Sequence, residues 1–132
     1  MRERIVFAEN DRIAIIAPHP DDECLGAAAA LILAPDRTDI YVLTDGSHGN
    51  PEKSIGEEAE IRRTQFEAEM AAVKPHAWEW LGYEDTTLPE RQDAVERIDF
   101  TAINRFSCLR GNDLLCVSRG DVCRNEHEGC GC

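Results

Sequence analysis

No apolar run in this 132-residue chain is long enough to cross a bilayer. The longest, Ala27 to Ala34, falls far short of the ~20 residues that a span needs. The N-terminus, Met1-Arg2-Glu3-Arg4, leads into a short strand-like piece and not into the apolar core of a secretory signal, so the expected location is the cytoplasm. Basic charge is scarce. Fourteen Lys and Arg stand against 26 Asp and Glu, a net charge of -12. Binding to a phosphate backbone draws on clustered Lys and Arg, so no nucleic-acid partner is expected, and the acidity is read as solubility. The chain also has no Gly-x-Gly-x-x-Gly at its first strand-to-helix loop, and the carboxylates there would repel a pyrophosphate, which makes a nucleotide-binding module the weakest reading. Internal repeats and low-complexity segments are missing too. The length suits one domain, residues 1–132, with a single core.

What is present centres on Ala17-Pro18-His19-Pro20-Asp21-Asp22-Glu23-Cys24-Leu25-Gly26. A continuous apolar run, Ile13 to Ala17, precedes it and reads as a buried strand. Gly26 to Leu33, rich in alanine and closed by Pro35, follows as a helix. His19, Asp21 and Asp22 are thereby placed on a loop that leaves a strand and enters a helix, the end of an open α/β sheet where ligands gather. An imidazole and a carboxylate three positions on, in a backbone restrained by two prolines, suit a pair of zinc ligands. The second carboxylate is then free to act as a base. Taken singly, acidic residues at a helix start answer the helix dipole and need no ligand. The whole run is more specific than that.

This stretch resembles the signature of the LmbE/PIG-L family of zinc-dependent deacetylases acting on N-acetylglucosamine-type substrates. The resemblance implies a Rossmann-like three-layer α/β fold with a mainly parallel sheet and hydrolysis of an N-acyl bond. It also implies Zn2+ as cofactor, His19 and Asp22 as the first two metal ligands, and Asp21 as general base.

Around the signature, Arg4 to Ala8 is expected as a short edge strand and Ile40 to Thr44 as the strand completing a right-handed βαβ unit. Thr44-Asp45-Gly46 ends that strand and resembles an element that the family places beside the metal loop, which makes Asp45 a substrate-side candidate; Asp-Gly is also an ordinary turn. His48, in the loop that follows, is read as solvated. Glu57 to Val73 is expected as a helix, with Phe66, Met70 and Val73 on its apolar face and Ile61, Ala68 and Ala72 widening it. By resemblance an arginine near its start faces substrate. Arg62 is the better match and Arg63 the alternative, and both can equally pair with acidic neighbours along the helix, Glu58 for Arg62 and Glu60 or Glu67 for Arg63. Trp78 to Gly82 is expected as a strand with its tryptophans on one face, and Asp85 in the next loop as a further pocket residue by resemblance. Pro89 opens another expected helix, carried by Val95, Ile98, Ala102, Phe106 and Leu109 and stopped by Gly111-Asn112-Asp113. Leu114 to Ser118 is then expected as a fourth parallel strand.

A catalytic zinc commonly takes three protein ligands. The family supplies the third from a His-x-Asp-His element after a later strand. Here the matching positions read Arg124-Asn125-Glu126-His127, so His127 aligns with the ligand and Glu126 with the aspartate. Arg124 stands where the first histidine is expected (Cys123, if one residue is inserted). An arginine can stabilise negative charge but is a poor proton donor, with a pKa above ~12. Residues 119–132 form an atypical tail. Within it Cys123, His127, Cys130 and Cys132 could form a small metal site of their own, although that spacing is tight for tetrahedral closure. The expectation is a fold incomplete at its C-terminus, from a truncated or altered family member.

The leading functional expectation is a zinc-dependent hydrolase that removes an acetyl group from an N-acetyl sugar or related amide. Zinc would be held by His19, Asp22 and His127, with Asp21 as base and Arg62, Asp45 and Asp85 on the substrate side. The alternative is a metal-binding but inactive fragment of the same family.

Overall fold

Five strands form a sheet in the order β3-β2-β1-β4-β5. In the computed structural model the described residues are 7–87, 96–99, 101, 103, 105–110 and 113–118, with Leu25, Gly26 and the last two strands described by backbone only. The strands are β1 (Ile13–Ala17), β2 (Thr38–Thr44), β3 (Ala77–Tyr83), β4 (Arg105–Arg110) and β5 (Asp113–Ser118). Helix α1 (Asp22–Leu33) joins β1 to β2 through a short 3-10 turn at Pro35–Arg37, and α2 (Ile55–Val73) joins β2 to β3. The first four strands in space, β3, β2, β1 and β4, run parallel, and β5 is an antiparallel edge. This is the mainly parallel α/β sheet expected from the alternation of apolar strands and helices.

Strand alternation divides the core between the two faces of the sheet. Ile13, Ile15 and Ala17 of β1 and Ile40 and Val42 of β2 meet Ala27, Ala30 and Leu31 of α1 and Phe66 and Met70 of α2. Ile16, Tyr41 and Leu43 point the other way and join Leu81 and Ile98. Strand β1 is almost wholly apolar because both of its faces are covered.

Local chemistry explains the helix ends. Ser54 and Glu57 form a capping box: the Ser54 hydroxyl accepts from the Glu57 N–H, and the Glu57 carboxylate accepts from the Ser54 N–H. That box starts α2 at Ile55, slightly before the expected Glu57. Phe66 and Met70 are buried as expected, whereas Ala68 and Ala72 are exposed, so the apolar face is narrower than the spacing suggested. Trp78 and Trp80 share a face of β3 and both meet Phe66, with ring centroids 5.4 Å apart in each case.

The chain departs from expectation after Asp85. Residues 105–110 are a strand and not the end of a helix, and the strand at 113–118 is antiparallel to it, pairing Arg110 with Asp113 and Arg105 with Ser118. Only Gly111 and Asn112 separate the two strands. Two short apolar runs about a Gly-Asn pair are a hairpin signal, which the helical spacing of Phe106 and Leu109 masked. Of the expected Arg4–Ala8 strand, residues 4–6 lie outside the described residues, and Phe7 and Ala8 belong to no strand. Residues 119–132, with His127, Arg124 and the tail cysteines, lie outside the described residues, as do 89–95 of the expected Pro89 helix.

Candidate active site

Chain order puts β1 between β2 and β4: the connections run outward from β1 to β2 and β3, then return to β4 on its other side. In open α/β sheets ligands bind where the order reverses, at the C-terminal ends of the strands. The Pro18–Asp21 loop leaves β1 at that point. It is fastened to the end of β2, because Thr44 donates to the Pro18 carbonyl from both its N–H (3.0 Å) and its hydroxyl (2.7 Å). Gly46 completes the junction in a left-handed conformation (φ 63°), and a Cβ there would come within 3.0 Å of Pro20 Cδ.

His19 is held from two sides. Its Nε2 lies 3.0 Å from Asp85 Oδ1, and its Nδ1 lies 3.4 Å from Asp22 Oδ2. Both neighbours are carboxylates, which only accept; with a metal on the Nδ1 side, the Nε2–H would donate to Asp85. Asp85 is itself buried and fixed: its Oδ2 accepts from the His48 N–H, and its own N–H donates to Asp45 Oδ1. The same Asp45 oxygen also accepts from the Ser47 N–H, so Asp45 holds the loop together behind His19. The His48 ring is half-exposed and lies 3.5 Å from Glu84.

Asp21 sits before α1 with φ 91°, a left-handed backbone that a non-glycine residue seldom adopts, and its side chain does not cap the helix. The carboxylate instead meets Arg62 Nη1 at 3.3 Å. Arg62 reaches across from α2, and its Nε donates to Glu58 Oε1 at 2.8 Å. Glu58 is buried. Its hydrogen bond is the main reason the Arg62 guanidinium is held above its ordinary pKa, with Asp21 adding to the effect. Gly49 makes room for this arginine, since a Cβ there would lie 2.8 Å from Arg62 Nη2. A cavity of about 160 Å³ opens beside the pair, lined by Pro20, Asp21, Arg62, Gln65, Phe66 and Glu69. Arg63 points elsewhere, to Glu67 and over the rings of Trp78 and Trp80.

His19, Asp21, Asp22, Arg62, Asp45 and Asp85 are therefore gathered around one loop, and geometry separates the two arginines in favour of Arg62. The i−4 carboxylate that explained Arg62 without a ligand is present as well, so the two readings of that residue are compatible. Glu58 had only that explanation in the sequence. Its burial beneath the arginine, and the close fit at Gly46 and Gly49, had no sequence signal.

A zinc ion fits the His19–Asp22 pair. Two ligands at ~2.0–2.2 Å from a tetrahedral ion stand about 3.3–3.6 Å apart, and the two atoms here are 3.4 Å apart. An imidazole whose far N–H is held by a carboxylate is also the usual arrangement for a zinc histidine. Among the described residues no third donor gathers with this pair.

The family model described as "PIG-L: GlcNAc-PI de-N-acetylase" matches residues 14–131. The chain belongs to the PIG-L family. One similar solved structure is an N,N'-diacetylchitobiose deacetylase from Pyrococcus horikoshii complexed with its inhibitor MPG; it is 32% identical with a TM-score of 0.52, over 58% of this chain and 31% of that one. Another is a conserved protein from Thermus thermophilus, 27% identical with a TM-score of 0.45, over 56% of this chain and 33% of that one. The chain thus spans about a third of the length of each solved relative. No curated protein sequence matches it. Among the described residues no helix is long and apolar enough to cross a membrane.

Proposed function

We propose that this PIG-L domain is a zinc-dependent N-deacetylase acting on an N-acetylglucosamine-type sugar or a related small amide. The observation that carries the reading is His19 clamped between Asp85 and Asp22, beside an Asp21–Arg62 pair that opens on a cavity. Family membership and the likeness to a diacetylchitobiose deacetylase support it.

His19 through Nδ1 and Asp22 through Oδ2 would hold the zinc, with His127 as the third ligand in the family pattern. Zinc bound there supplies Lewis acidity towards an acetamide oxygen and a water whose pKa is lowered towards ~7. Asp85 keeps the His19 imidazole in the tautomer whose Nδ1 is a ligand. Asp21 takes the proton of the attacking water and returns it to the leaving amine as the C–N bond breaks. Arg62 steadies the Asp21 carboxylate in the resting site and places a permanent positive charge at the cavity wall, where it can share the developing oxyanion. Half-exposed Asp21 lines the cavity, and buried Glu58 keeps the arginine in place.

The test is acetate release from N-acetylglucosamine, diacetylchitobiose and N-acetylglucosamine conjugates by the whole chain loaded with zinc, beside an Asp21→Asn variant. Release that falls by about 10²–10⁴-fold in the variant, with zinc content unchanged, supports the assignment. No release from any of them, or equal release by both proteins, overturns it.

A further inference from the structure

Beside the Asp21–Arg62 cavity, whose wall includes Glu69, three groups that the deacetylase reading gives no role come together. Glu23 and Cys24, in the first turn of α1, meet Glu69 of α2, and one ligating atom from each lies within 4.8 Å of the others. Glu23 is fully buried, which is unlike a carboxylate placed at a helix start merely to answer the dipole. Its Oε1 accepts from the Asp21 N–H at 3.2 Å; no protein N–H or hydroxyl reaches its buried Oε2. Glu69 faces it across the cluster, adds a like charge and can bond to it only through a shared proton. The Cys24 thiol donates to Glu69 Oε1. Arg62 lines the neighbouring cavity with Glu69, but its Nε and Nη1 are directed to Glu58 and Asp21.

A buried acceptor without a donor is costly, and two facing carboxyls and a thiol make the cost larger. A cation removes it. We propose that Glu23, Cys24 and Glu69 hold a divalent cation of the zinc type, which pins the start of α1 to α2. One sulfur and two carboxylate oxygens suit a borderline-soft ion and are a poor set for Mg2+ or Ca2+. Three protein ligands leave a fourth position for water. On binding, the thiol proton is released and the sulfur becomes the ligand, as coordination requires. The site is separate from the His19–Asp22 pair but shares its loop, because Asp21 and Asp22 lie directly before Glu23.

The experiment is a Co2+ titration of the full chain, followed by the sulfur-to-cobalt charge-transfer band in the near ultraviolet. The His19–Asp22 pair contains no sulfur, so the band does not report on the proposed catalytic zinc, and Cys24→Ser separates this cluster from the other cysteines. The expected result is a saturable band in the parent chain and in His19→Ala, lost in Cys24→Ser. Removing a direct ligand costs at least as much as removing an outer-shell partner, so Glu69→Gln should weaken Co2+ binding by about tenfold or more. Cys24 is exposed and Glu69 half-buried, so these variants spare the core. A band that survives Cys24→Ser arises from another cysteine and overturns the proposal, as does an absent band or indifference to Glu69→Gln. Failure of deacetylation with the band intact counts against the deacetylase reading alone.

Discussion

The Asp85 carboxylate lies 3.0 Å from His19 Nε2, joining the loop after β3 to the loop after β1 across a sequence separation of 66 residues. In the proposed site that contact would leave Nδ1 as the nitrogen for the metal. Asp85→Asn keeps the shape but loses the charge, and the amide can present either an oxygen or an N–H to the ring. Zinc affinity should fall by about 10–100-fold, measured by competition with a chromophoric chelator. Unchanged affinity would remove Asp85 from the role of orienting His19.

Glu58 should act on the site through Arg62. Glu58→Gln replaces an ion-paired hydrogen bond with one in which only the arginine is charged, a difference of ~1 kcal/mol or about fivefold. The expected outcome is a lower kcat with bound zinc unchanged. Arg62→Lys should not restore the geometry, because a single ammonium cannot reach Glu58 and Asp21 as the guanidinium does. Wild-type kcat in Glu58→Gln would show that Arg62 is positioned without it.

Gly46 should resist substitution. Gly46→Ala places a Cβ in a left-handed backbone and 3.0 Å from Pro20 Cδ. The backbone term alone is ~1–2 kcal/mol, and the contact presses on the loop that carries His19. Urea denaturation should show the loss of stability; a midpoint equal to wild type would mean that the loops can separate.

Stability should depend on pH through Glu23. Burial, with Glu69 nearby, pushes its carboxyl up from 4.5 to about 7. The folded protein therefore binds more protons than the unfolded chain between those values, and stability falls as pH rises through that window. In the presence of a chelator, Glu23→Gln should flatten this part of the profile. An identical slope in the variant would assign the dependence to other groups.

Much of the Pro18–Asp21 loop was legible because its determinants are local. An apolar strand, two prolines around His19 and a small-residue helix fix the loop, and parallel strands bring their C-terminal ends to one edge of the sheet. Ser54 and Glu57 likewise set the start of α2 with side chains only three residues apart.

Other features came only from packing. Arg62 and Arg63 are adjacent in sequence and both have carboxylate neighbours; the side of α2 that faces the Pro18–Asp21 loop decides between them. Whether Asp85 touches substrate or His19 depends on how the β3 loop folds over β1. The hairpin at 105–118 shows the same limit from the other direction: Phe106 and Leu109 fit a helical period, but pairing with β1 satisfies the backbone of residues 105–108 as a strand. Ser118 pairs with Arg105, which is level with Ile13 at the start of β1, so β5 ends at the opposite end of the sheet from His19.

The sequence by itself determined the chemistry available at the end of β1, because neighbouring residues set both the loop and the ligand types. The tertiary structure decided which distant side chains serve that loop, because those choices depend on helix orientation and strand pairing, which no local pattern encodes.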